Sequence, residues 1–195
     1  MARKAGSHAE ITGPAIRLAA LRLFARSGYA AVSMREIASE VGVRAGALYL
    51  YTPDKQTLLF QLMREHMEDL LASWEATRSD GDPLERLEAF VRFHIDYHFD
   101  RQDEVFVSYM ELRNLTEENF AEIQGLRRAY EDELEAILAA GHDADDFRLP
   151  DVRVTTLALI AMLNGVITWY RDGGRLTRDR IQRIYWNMTR RMVKA

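Results

Sequence analysis

The stretch Ser33-Met-Arg-Glu-Ile-Ala-Ser-Glu-Val-Gly-Val-Arg-Ala-Gly-Ala-Leu-Tyr-Leu-Tyr-Thr52 decides the fold. Ser33 followed three residues later by Glu36 is a capping box. The hydroxyl accepts from a free N–H of the first turn, and the carboxylate reaches back to the cap. The helix so opened is short, about residues 34–40, with Ile37 and Ala38 inward. Val41-Gly-Val43 makes a turn in which Gly42 supplies a left-handed or closely packed backbone. A second short helix covers about residues 45–51. Thr52-Pro-Asp54 interrupts it, because proline disfavours helical geometry at the residue before it. Two short helices joined by a glycine turn form a helix-turn-helix pattern over about residues 33–52.

The flanks are helical too. Ile11–Arg26 places Ile16, Ala19, Ala20, Leu23 and Phe24 on one face and Arg17, Arg22 and Arg26 on the other. After the motif, residues 54–77 carry the stripe Leu58, Leu59, Leu62, Met63 and Leu70. Asp82 before Pro83 starts a helix to about Asp100. Others are expected over 104–114 and from Thr116 to about Ala140, with Gly141 as the stop. Val152–Tyr170 is apolar nearly all round and should end at Asp172-Gly-Gly174, and Thr177 caps a last helix to about Val193. No segment alternates with period two, and the four prolines are widely spaced. The expectation is an all-α chain of about nine helices. It divides into a helix-turn-helix domain at 9–69 and a helical domain at 70–195.

The chain has 195 residues, 48% hydrophobic content, no cysteine and a net charge of −4, which is a globular composition. Zero cysteine excludes disulfides, thiolate metal sites and a cysteine nucleophile. No run of apolar residues reaches the roughly 18 that span a membrane, and no signal-peptide core is present, so a cytoplasmic location without membrane contact is expected. The charge is uneven. Residues 1–64 hold nine Lys and Arg against four Asp and Glu, a charge of +5, and the rest hold 17 against 26, a charge of −9. A basic head on an acidic body suits a polyanion-binding head.

A helix-turn-helix places its second helix in the major groove with the N-terminal residues against base edges. Here these are Arg44, Ala45 and Gly46, where Arg44 can pair with guanine or grip phosphate and the small residues permit close approach. Tyr49, Tyr51 and Lys55 offer donors to phosphates. Taken singly, Tyr49 fits a core tyrosine equally well, and Lys55 a solvated lysine. The ordered set Ala19-Ala-Leu-Arg-Leu-Phe24, Gly28-Tyr29, Ser33-Met-Arg-Glu-Ile-Ala38, Val41-Gly-Val43, Gly46-Ala-Leu-Tyr49 and Pro53-Asp-Lys55 resembles the DNA-binding domain of the TetR family of transcriptional regulators. The resemblance spans about one third of the chain. It implies DNA contacts from Ser33, Arg35, Arg44, Ala45, Gly46, Tyr49, Tyr51 and Lys55. Thr52 departs from it, standing where the family usually carries Phe, and leaves a smaller plug behind the recognition helix.

An acidic body leaves dimerisation and sensing as its tasks. The resemblance implies both: a homodimer paired through the last two helices on double-stranded operator DNA, released by a small molecule. From the residues alone, Val152–Tyr170 fits either an interface helix with the small strip Ala158, Ala161 and Gly165, or an intrachain core helix. Phe90, Phe93, His94 and Tyr97 recur at helical spacing, as do Phe106, Tyr109, Met110 and Arg113, and Tyr130 and Trp169 can close a ring. Phe93, Tyr97, Tyr109, Arg113, Tyr130 and Trp169 are therefore the candidate ligand-binding set, against the reading that an aromatic stripe is simply core. Trp169-Tyr-Arg-Asp-Gly-Gly174 with Leu176-Thr177 is similar to the body of TetR-like repressors of fatty-acid, steroid and branched-chain catabolism. That similarity implies an acyl-coenzyme A effector. A body of charge −9 suits so anionic a ligand only if arginines cluster at the mouth.

Other chemistry has little support. His94 and His98 share a helix face at i, i+4, a spacing that can hold a metal, but the Glu of the zinc-protease pattern is missing. There is no glycine-rich phosphate loop and no nucleophile elbow, so no catalytic residue, metal or cofactor is assigned. A ligand-responsive dimeric repressor stands first. A helical enzyme or metalloprotein, and a ligand-independent DNA-binding assembly factor, remain as alternatives.

Overall fold

The computed structural model describes residues 6–171 and 173–194, with side chains from Ile11 onward. Asp172, expected to share in a helix stop, lies outside the described residues. Among the described residues there are ten α-helices, a 3-10 turn at Leu112–Asn114 and no strand. The helices are α1 (Gly6–Ser27), α2 (Met34–Val41), α3 (Ala45–Leu48), α4 (Lys55–Thr77), α5 (Pro83–Asp100), α6 (Gln102–Met110), α7 (Glu117–Asp143), α8 (Val152–Asn164), α9 (Val166–Trp169) and α10 (Arg178–Lys194).

Local signals set several ends as expected. Ser33 Oγ accepts from the Glu36 N–H at 3.2 Å, and Glu36 Oε2 accepts from the Ser33 N–H at 2.7 Å, completing the capping box of α2. Gly42 closes α2 at φ 75°, a left-handed conformation that glycine adopts without a Cβ clash. Asp82 builds a second capping box with Glu85, with Pro83 in the first turn. Thr177 Oγ1 accepts from the Arg180 N–H at the start of α10.

Five elements differ from expectation. Helix α3 stops at Leu48 rather than about residue 51, and the helix expected over 104–114 is α6, which ends at Met110, followed by the 3-10 turn Leu112–Asn114. Helix α1 begins at Gly6 rather than Ile11 and contains Pro14. The single helix expected over Val152–Tyr170 is two, α8 and α9. The Gly165 carbonyl accepts both the Thr168 N–H and the Thr168 hydroxyl, and this tight i, i+3 turn replaces the regular bond. Val152–Trp169 is also long and apolar enough, by length and composition, to cross a membrane, which counting uninterrupted apolar residues had excluded. Here α8 and α9 pack on α5. Finally, α7 runs through Gly141 to Asp143. A Cβ on Gly141 would fall 2.2 Å from the buried Phe147 ring. Gly141 thus serves close packing and not helix termination.

The backbone divides into two compact units. The first holds residues through Met67 and also Asp103–Gln124. Its core contains Ile16, Ala20, Phe24, Ile37, Leu48, Leu59 and Met63. The second holds Glu68–Gln102 and Gly125–Ala195. In it α5 packs against α8, α9 and α10 around Leu87, Phe90, Val91, Ile95, Leu159 and Leu163.

Candidate nucleic-acid interface and effector site

In the first unit α1, α2 and α3 pack together, and α3 is held from behind. Leu48 is fully buried. Thr52 is buried as well, and its hydroxyl donates to the Asp54 carbonyl at 3.0 Å. The smaller plug is thus buried and hydrogen-bonded locally. Arg44, Gly46, Tyr49 and Leu50 face solvent, and Ala45 is half-buried. Ser33 and Arg35 are exposed at the start of α2. Tyr51 is 36% exposed, and its ring lies 3.7 Å from where a Cβ on Gly13 of α1 would stand.

Lys55 is half-buried. Its ammonium donates to the carbonyls of Tyr29 at 2.8 Å and Val32 at 2.7 Å. The same ammonium lies 4.2 Å from the Tyr29 ring centre. Two of its three N–H bonds are thereby spent on fixing the loop before α2 to the start of α4. Burial, and then the nearby Asp54 carboxylate, push the Tyr29 phenol above its ordinary range. Two further bonds tie down the same unit. Gln56 Nε2 donates to the Asn114 carbonyl at 2.6 Å, and Asn114 Nδ2 donates to the buried Glu111 at 2.6 Å.

The second unit holds an aromatic cluster. Phe93 lies 5.4 Å from Trp74 and 5.6 Å from Tyr97, and Tyr130 stacks on Phe90 at 5.1 Å. Arg101 covers the Tyr97 ring at 3.9 Å. Phe93 and Tyr97 are neighbours on one face of α5, and Tyr130 of α7 reaches the cluster through Phe90. Tyr109 and Arg113 lie on Asp103–Gln124, in the other unit, where Arg113 is exposed. Trp169 is 48% exposed and stacks on Tyr185 at 6.4 Å.

The cluster encloses a polar network that the sequence shows only in part. His94 is fully buried, with Nε2 3.0 Å from Asn164 Oδ1 and Nδ1 3.2 Å from the Tyr130 hydroxyl. An amide oxygen only accepts, so Nε2 carries the proton and Nδ1 accepts from Tyr130. Burial lowers the His94 pKa to about 3, partly opposed by the Asn164 bond. The His98 ring stacks on His94 at 3.8 Å, and its Nδ1 donates to the His94 carbonyl at 2.7 Å. Stacked rings have parallel in-plane lone pairs, which cannot converge on one ion. No group of three His, Cys, Asp or Glu suited to a metal occurs among the described residues.

A second feature, of which the candidate set held only Trp169, lies at the end of α9. An open cleft of about 280 Å³ is lined by Trp169, Tyr170, Arg171, Gly174, Arg175 and Leu176. Arg171 is held by its Nη1, which donates to the Tyr170 carbonyl at 2.7 Å. The clustered arginines were written in the sequence, but only the chain path shows that they border a cleft beside Trp169.

A helix-turn-helix whose second helix opens at an exposed Arg44, joined to an all-α second unit, is the arrangement of a DNA-binding regulator. Residues 16–62 match the description "Bacterial regulatory proteins, tetR family", and residues 80–193 match "Tetracyclin repressor-like, C-terminal domain". The chain belongs to the TetR family of transcriptional regulators. It is 27% identical over 169 residues to the HTH-type transcriptional repressor KstR2 of Rhodococcus jostii, covering 85% of this chain and 83% of that protein. A tetR-family regulatory protein from Rhodococcus RHA1 superposes with a TM-score of 0.89 at 30% identity, over 95% of this chain and 98% of that one. AibR, crystallised with isovaleryl coenzyme A and operator DNA, superposes with a TM-score of 0.81 at 28% identity, over 91% and 97% of the two chains.

Proposed function

We propose that this regulator is a homodimeric repressor that leaves its operator when an acyl-coenzyme A thioester binds its second unit. The observation that carries the DNA half is the solvent-facing set Arg44, Gly46 and Tyr49, held rigid from behind by buried Leu48 and Thr52. Arg44 and Arg35 reach base edges or phosphates, and Ala45 and Gly46 let the backbone come close. Ser33, Tyr49 and Tyr51 donate hydroxyls to phosphates, and Lys55 adds its remaining N–H.

Dimerisation is supported by an unpartnered apolar stripe. Val154, Leu157, Ala158 and Ala161 recur along α8 at i, i+3, i+4 and i+7, and all are exposed. Met188 and Met192 of α10 are exposed as well. A self-complementary patch of this kind suits a two-fold interface.

The effector half rests on the aromatic cluster and the arginine-bordered cleft. An indole face with two guanidinium groups beside it suits an adenine nucleotide with its phosphates. It also supplies the cationic mouth that the acidic body otherwise lacks. AibR was crystallised with a ligand of this chemical class and with DNA. Phe93, Tyr97, Tyr130 and Trp169, with Arg171 and Arg175, are the candidate contacts of the ligand in the second unit, whereas Tyr109 and Arg113 belong to the first unit. The deciding experiment is an operator-shift titration with medium- and long-chain acyl-coenzyme A against free coenzyme A. Release by the thioesters alone, weakened in Arg175→Ala and Trp169→Ala, supports the proposal. Undiminished DNA binding with every acyl chain tested would remove the effector half and leave the DNA half standing.

A further inference from the structure

Leu50 is 84% exposed, more than any other large hydrophobic side chain among the described residues. It lies just past α3, between Tyr49, which is 55% exposed, and Tyr51. The neighbouring cores do not claim it, since Leu48 and Thr52 fill the space behind the helix. The exposed residues before it are polar or bare: Arg44 and Tyr49 face solvent, and nothing lies within 4 Å of where a Cβ on Gly46 would stand.

We infer that Leu50 reads thymine through its C5-methyl group, and the inference rests on the DNA binding proposed above. In the major groove every other distinguishing group on a base edge is a hydrogen-bond donor or acceptor, and the thymine methyl is the apolar one. A leucine offers no hydrogen bond, so a phosphate or a polar base edge gains nothing from it. Bare Gly46, four residues before Leu50, lets a base edge come close to the backbone without meeting a side chain. Arg44 and Tyr49 supply the polar contacts that hold the helix in register, and Leu50 adds discrimination between thymine and the pyrimidine that lacks a methyl.

The test uses the full-length protein and a duplex that it enriches from a random library. Each thymine of the enriched site is replaced in turn by deoxyuridine, which removes the methyl and changes nothing else. At one thymine per half-site the wild-type protein is expected to lose about fourfold in affinity, as befits one buried methyl group. Leu50→Ala, which removes the contact in both half-sites, should bind the thymine duplex about as weakly as wild type binds a duplex with deoxyuridine at that thymine of both half-sites, and should no longer tell the two apart. Indifference of wild type to every replacement overturns the inference. So does a Leu50→Ala protein that keeps the full discrimination, or one that weakens on both duplexes while still discriminating. Failure to enrich any duplex overturns the DNA-binding proposal itself, and the Leu50 contact with it.

Discussion

The Lys55 ammonium sits 2.8 Å from the Tyr29 carbonyl oxygen and 4.2 Å from the centre of the Tyr29 ring. A residue that family resemblance assigns to DNA is thus also a fastener inside the protein. The two roles separate by measurement. Loss of charge-assisted bonds to two carbonyls in Lys55→Ala should cost about 2 kcal/mol in urea unfolding. If the remaining N–H holds a phosphate, the slope of log affinity against log salt should also fall by about 0.9 for each protomer on the operator. Tyr29→Leu should lower stability and leave the salt slope alone. An unchanged slope in Lys55→Ala would reduce Lys55 to its internal role.

The buried His94 makes stability depend on pH. Its folded pKa of about 3 lies below the ordinary 6.5, because burial disfavours the cation. Between those values the unfolded chain binds a proton that the folded chain refuses. This contribution is therefore complete above pH 6.5 and declines as pH falls, with a slope of up to about 1.4 kcal/mol per pH unit. His94→Gln keeps an acceptor and a donor but cannot titrate. Denaturant midpoints measured between neutral and mildly acidic pH should fall less steeply for the variant. Parallel profiles would show that His94 charges in the folded state.

How much the sequence revealed depended on distance along the chain. The capping box of Ser33 and Glu36 spans three residues, and the left-handed Gly42 closes the same short helix, so both were legible. So were the periodic faces that place Phe93 and Tyr97 together. The Lys55 bonds to Tyr29 and Val32 and the His94 bond to Asn164 join residues far apart, and no local pattern announces them. Leu50 was silent for another reason. A leucine in a short amphipathic helix fits a core as well as a surface, and only the packing shows which. The grouping of Asp103–Gln124 with the N-terminal residues likewise depends on the path of the chain and not on composition.

Gly141 shows how a correct residue can be given the wrong cause. Glycine near a helix end reads as a stop, yet α7 continues to Asp143 and the Phe147 ring occupies the space of the missing Cβ. Gly141→Ala should therefore destabilise the second unit, although alanine is the better helix former. Overpacking against a buried ring predicts a loss of about 1–3 kcal/mol in thermal or urea unfolding. The double variant Gly141→Ala, Phe147→Leu should recover part of it. A single variant as stable as wild type would show that the ring yields freely.

The exposed stripe on α8 and α10 makes the strongest claim about assembly. Leu157 is 44% exposed and Met188 is 48% exposed, on helices whose opposite faces are buried by Leu159, Leu163, Ile181 and Val193. Placing a charge on each side of a two-fold interface buries two like charges without partners, which an interface does not tolerate. Leu157→Glu and Met188→Glu should each give a folded monomer by light scattering, with the helical circular dichroism of the wild type. Operator affinity should fall by at least about tenfold, because one half-site then binds without its neighbour. A charged variant that remains dimeric would place the interface on another face, even if the wild-type protein proves to be a dimer.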